Sequence, residues 1–97
     1  MKKKTKKSKK PECIIDGDGS KFWHKNYKFH RIDGPACEYA DGTKSWYKNG
    51  LCHRTDGPAY EDADGTKFWF LNGKPIEPQD LVKKGYITKE ELFLILL

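Results

Sequence analysis

The chain has 97 residues, enough for one small domain, and only 36% of them are hydrophobic, so any core has to be thin. Its net charge of +5 is local: residues 1–10 hold seven lysines and no acid, which leaves 12 basic against 14 acidic residues in the rest. The longest apolar run, Leu92 to Leu97, is six residues, far short of the ~20 of a membrane-spanning helix, and no apolar stretch follows the N-terminal lysines, so neither a transmembrane segment nor a signal peptide is expected.

Residues 1–11 form a lysine-rich tail that has nothing to bury and is expected to be disordered when free. Lys2, Lys3, Lys4, Lys6, Lys7, Lys9 and Lys10 either solubilise the chain or contact nucleic acid or another polyanion; in a eukaryotic host the run also reads as a nuclear address.

Residues 12–77 repeat with a period of 23 residues. Trp23, Trp46 and Trp69 coincide, as do Asp18-Gly19, Asp41-Gly42 and Asp64-Gly65. Lys21, Lys44 and Lys67 coincide too, and so do Asn26, Asn49 and Asn72. The run His30-Arg31-Ile32-Asp33-Gly34-Pro35-Ala36 recurs as His53-Arg54-Thr55-Asp56-Gly57-Pro58-Ala59. A period of this size marks units that bury their apolar faces only against their neighbours. Asp-Gly and Asn-Gly pairs between alternating segments predict two-residue hairpin turns. Threading the chain that way sets Cys37 opposite Trp46, Glu38 opposite Ser45 and Tyr39 opposite Lys44, and then Trp46 opposite His53 and Tyr47 opposite Cys52. One face would carry Cys37, Trp46 and His53 flanked by Lys44 and Lys48; the other would carry Glu38, Tyr47, Cys52 and Arg54. The first period would align Ile14, Trp23 and His30, flanked by Lys21 and Lys25, and the third would align Tyr60 with Trp69. The expected fold is mostly β, an antiparallel meander of three hairpin repeats with about six to nine strands. Asn26-Tyr27 departs from Asn-Gly, and since Tyr at positive φ is costly, a longer or distorted turn is expected there.

The period breaks after Gly73, where Ile76-Glu77-Pro78 replaces the His-Arg run. Pro78 can open a short helix and Gly85 can close it. Thr88 with Glu91 makes a capping box for a second helix, apolar nearly all round towards Leu97 and therefore expected to be buried. Residues 78–97 read as a C-terminal helical cap, or alternatively as a helix for docking an oligomer or partner.

The runs Tyr47-Lys48-Asn49-Gly50-Leu51-Cys52-His53 and Asp64-Gly65 resemble the MORN-type repeat, a 23-residue β-hairpin unit, over residues 12–74. Arg31 and Arg54 stand where that pattern has Gly, and with the following Asp-Gly-Pro-Ala they resemble a variant of phage and viral accessory proteins. The resemblance implies a non-catalytic scaffold that binds proteins or acidic lipid.

Three sets of residues could carry function. His30 and His53, each followed by Arg, suggest a base with an anion clamp, but identical copies suit a repeated structural job better. Trp23, Trp46 and Trp69 are either core or, bracketed by Lys21, Lys25, Lys44, Lys48 and Lys67, a row that stacks bases or docks protein. The cysteines Cys13, Cys37 and Cys52 are odd in number and lack a Cys-x-x-Cys pair, which argues against a disulfide framework or a zinc site and for a reducing, cytoplasmic setting. No cofactor or metal is implied. The function expected is a binding module that occludes or scaffolds a protein partner, with a nucleic-acid or nucleotide binder, using tail and Trp–Lys face, as the alternative.

Overall fold

The computed structural model describes residues 10–97. The readings made for residues 1–9, including Lys2 to Lys9, lie outside the described residues. The described residues are mostly β, with eleven short strands in antiparallel sheets and two helices at the C-terminal end. No described helix is long and apolar enough to cross a membrane.

The main sheet runs β1 (Glu12–Ile15), β2 (Lys21–Lys25), β4 (Cys37–Glu38), β5 (Lys44–Ser45), β8 (Tyr60–Glu61) and β9 (Lys67–Phe68), with β3 (Lys28–Phe29) on the far end of β2. Two separate hairpins follow its turns: β6 (Tyr47–Lys48) with β7 (Leu51–Cys52), and β10 (Phe70–Leu71) with β11 (Lys74–Pro75). The strand count exceeds the expected six to nine because the chain leaves the main sheet at Trp46 and again at Trp69, cutting one expected strand into two.

Two kinds of turn alternate. At Asn49-Gly50 both residues take positive φ, 52° and 84°, and Tyr47 pairs with Cys52 across a two-residue turn, as the pattern predicts. The Asp-Gly turns are different. Gly42 N–H donates to the Tyr39 carbonyl at 2.9 Å, only Gly42 takes positive φ, and Tyr39 N–H donates to Thr43 O at 2.9 Å. The loop is therefore three residues with a glycine bulge, tied by Thr43 N–H donating to Asp41 Oδ1 at 2.9 Å. This slips the main-sheet register by one: Cys37 faces Ser45 rather than Trp46, Glu38 faces Lys44, Ile14 faces Phe22, and Tyr60 faces Phe68 rather than Trp69. The expected face of Cys37, Trp46 and His53 does not form, since a one-residue slip exchanges faces. A second correction concerns Asn26-Tyr27, which keeps the two-residue turn with φ of 53° and 66° and a fully exposed Tyr27 side chain.

At the equivalent positions of the later hairpins glycine takes positive φ, 84° at Gly50 and 81° at Gly73, and the preceding hairpin lies against it. A Cβ at Gly50 would meet the Lys28 side chain at 3.4 Å, and one at Gly73 would meet Leu51 at 3.2 Å. No hairpin precedes Tyr27, so that space is open.

The helices are α1 (Pro78–Lys83), with Pro78 in its first turn, and α2 (Lys89–Leu96), capped by Thr88 Oγ1 accepting from Glu91 N–H at 3.0 Å. The apolar core sits here: Trp69, Leu81 and Ile87 are buried, with Leu71, Ile76, Val82, Leu92 and Ile95 packed against them. The expectation that α2 is buried all round is corrected. Leu92 and Ile95 face the core, while Phe93, Leu94, Leu96 and Leu97 are exposed. Leu81 fills the centre of this small core completely, so Leu81→Ala should cost about 2–5 kcal/mol and abolish or sharply lower the cooperative thermal transition followed by circular dichroism.

Candidate functional site: the arginine–tryptophan groove

Each His-Arg-x-Asp-Gly-Pro-Ala run folds as a loop that leaves a hairpin and returns to the main sheet. Its arginine lies flat over the preceding tryptophan. The Arg31 guanidinium carbon is 3.7 Å from the Trp23 ring centroid, and that of Arg54 is 3.9 Å from Trp46. Both indoles are half-buried under these lids. Arg31 Nε donates to Asp33 at 3.0 Å, and Nη1 donates to the Pro35 carbonyl and to Glu38, each at 3.1 Å. Arg54 repeats the set with Asp56 at 2.8 Å, the Pro58 carbonyl at 3.0 Å and Glu61 at 3.5 Å. Glu38, which the threading set on one face with Arg54, serves Arg31 of the period before. Gly34 and Gly57 are required by the stack, since a Cβ there would come within 2.9 and 2.8 Å of the guanidinium carbon.

The histidines hold successive periods together. Asn49 N–H donates to His30 Nδ1, and Asn72 N–H to His53 Nδ1, both at 2.9 Å. An accepting Nδ1 must be unprotonated. Burial, helped by Lys25 and Lys48, lowers the pKa of His30 below the usual 6.5; burial, then Lys48, does the same for His53. Two thiols are likewise kept protonated, burial raising Cys37 and pushing Cys52 up to about 11.

Between the two loops lies an open groove of about 550 Å³, lined by Arg31, Asp33, Trp46, Lys48, His53, Arg54 and neighbours. Five expected site residues therefore meet there. Trp23 and His30, with Lys25, sit one period earlier, outside the groove. Lys21, Lys44 and Lys67 are elsewhere, on the main sheet, where pairing sets Lys21 against Glu38, Glu38 against Lys44, Lys44 against Glu61 and Glu61 against Lys67. That row alternates in sign and is not a cationic flank to the tryptophans. Trp69 is core, and Lys10 is exposed. Sequence reasoning missed the partners: Asp33, Asp56, Glu38 and Glu61. The Asp two residues after each Arg was the available signal. Comparisons with protein-family models, with curated proteins and with solved structures found no match.

Two predictions follow from this geometry. Lysine cannot reproduce a flat guanidinium with a fork of donors, so Arg54→Lys should lower stability by about 1–2 kcal/mol in urea unfolding. His30 and His53 also make stability pH-dependent. Their folded pKa values lie below the unfolded 6.5, so the unfolded chain binds more protons as pH falls past that value. Their contribution is complete above 6.5 and is lost on acidification towards the folded values. Unfolding free energies measured from about pH 8 to about pH 5 should decline, and His30→Asn, which does not titrate, should remove its share of the slope. Asp18, Asp41 and Asp64, lowered mainly by the backbone N–H groups of Ser20, Thr43 and Thr66, act only in a separate window below 3.8.

Proposed function

We propose that the chain is a non-catalytic protein-binding module, a MORN-like array of the phage or viral accessory kind, that occludes or scaffolds its partner through α2. The observation that carries this is the exposure of Phe93, Leu94 and Leu96 on one short helix and of Leu97 at its C-cap, a density of large apolar side chains that suits an apolar groove on another protein. The competing chemistry is already spent. Arg31 and Arg54 are committed to Asp, Glu and carbonyl partners, His30 and His53 accept backbone N–H groups, and one face of Trp23 and of Trp46 is covered by a guanidinium. On that face a base would have to displace the cation to stack.

The test is capture of a partner from source-cell lysate by the tagged chain, with and without nuclease, beside Phe93→Glu/Leu94→Glu. The double variant should stay folded, both side chains being exposed, and lose a nuclease-resistant protein partner. Capture that vanishes with nuclease and ignores α2 would instead favour nucleic acid held by the lysine tail.

A further inference from the structure

Inside the main sheet the same joint is made twice. β2 pairs β4 with Lys21 opposite Glu38 and Phe22 opposite Cys37; β5 pairs β8 with Lys44 opposite Glu61 and Ser45 opposite Tyr60. Each joint adds a side-chain bond: Ala40 N–H donates to Ser20 Oγ at 2.9 Å, and Ala63 N–H to Thr43 Oγ1 at 3.2 Å. The two halves of this joint recur unmade at the ends of the sheet. β1 pairs only with β2, and β9 only with β8. Cys37 and Ser45, with strands on both sides, are 1% and 2% exposed; Ile14 and Phe68, one period away from them, are 53% and 45% exposed. Thr66, the counterpart of the buried Ser20 and Thr43, is exposed, and Gly17, the counterpart of Ala40 and Ala63, has open space beside it.

We propose that β1 and β9 join head to tail between copies of this chain, in the register of the internal joints. Lys67 of one copy then faces Ile15 of the next, Phe68 faces Ile14, and Gly17 N–H reaches Thr66 Oγ1. Such a contact uses two different patches and leaves a free one at each end, so it grows beyond a dimer. It is confined to the sheet. Tyr27 stands where Gly50 and Gly73 let hairpins stack, and the helices already cover Trp69. The area is accordingly below the ~1,200 Å² of stable complexes, and association is weak and driven by concentration. Copies of net charge +5 also repel, so added salt favours the joint.

Position 15 tests the register. The internal joints have Glu38 and Glu61 opposite lysine, whereas β1 offers Ile15. Sedimentation equilibrium of the full chain, over a concentration series at raised salt, should show a mass climbing past the dimer. Ile15→Glu should tighten the association about two- to fivefold by supplying the missing partner for Lys67, Ile15→Lys should loosen it comparably, and Ile15→Lys/Lys67→Glu should recover it. Ile15 and Lys67 are both exposed, so these variants should still unfold cooperatively, with the double variant somewhat less stable because Lys67→Glu faces Glu61; thermal denaturation checks this. A monomer mass for both the parent and Ile15→Glu would overturn the proposal. So would growth that stops at a dimer, or association that ignores position 15 and disappears with Phe93→Glu.

Discussion

The tryptophan junction is the constraint on which the rest depends. At Trp46 the backbone N–H donates to Ala59 O at 2.7 Å, tying it to the next strand of the main sheet, while its carbonyl accepts from His53 N–H at 2.9 Å, tying it to its own hairpin. Trp23 makes the same two bonds, to Ala36 O and from His30 N–H. The ring therefore sits where sheet and hairpin part, a place with no third layer to cover it. A guanidinium is the cover. It is flat, weakly hydrated and able to donate along its edge while its face rests on the indole. Asp33, Pro35 O and Glu38 fix that edge for Arg31, so the loop, the lid and the next strand become one unit.

A fold of this kind uses polar residues for work that apolar ones do in thicker domains. Nδ1 of His30 and of His53 is spent on a backbone N–H of the next period, and Lys21, Lys44 and Lys67 of the main sheet alternate with Glu38 and Glu61 across the strands. Residue types that suggest catalysis or anion binding by composition are thus neutralised by position. The fold also leaves large apolar side chains exposed on α2 at one end and on β1 at the other. This is why the functional readings turn to surfaces that dock rather than groups that react.

The period, the mostly β class, the Asn-Gly turns and both helices were legible in the sequence because each has a local cause: positive φ at Asn49 and Gly50, Pro78 in the first turn of α1, Thr88 capping Glu91. The Asp-Gly register was not. Asp-Gly suits a two-residue turn as well as a three-residue one, and the choice rests on Asp41 Oδ1 taking Thr43 N–H, a bond whose signal is only a Thr two residues on. The site was half legible for a related reason. Spacing showed that His, Arg and Trp recur together, but which ring the arginine covers depends on where the strand breaks at Trp46, and the slipped register hid that Glu38 belongs to Arg31. Tyr27 was misjudged because turn propensity ignores the neighbour. A Cβ at Gly73 would crowd Leu51 of the preceding hairpin, whereas the Tyr27 side chain projects fully into solvent.

The lid also explains why the two ends of the chain differ. Trp23 and Trp46 are each covered by the arginine eight residues later in their own period, so Trp23 needs nothing from upstream. The last period has Ile76 and Glu77 where the others have His and Arg. Ile76 N–H still donates to Trp69 O at 3.0 Å, so the hairpin closes as before, yet no guanidinium is available for the ring. An acid there cannot replace it, since a carboxylate is repelled by the face of an indole. The ring must be covered by carbon, and Leu81 and Ile87 from the helical segment provide it, making Trp69 the one tryptophan of the three that is fully core. The helices are in this sense the substitute for a missing arginine, and the only sizeable apolar core among the described residues forms where the polar lid stops.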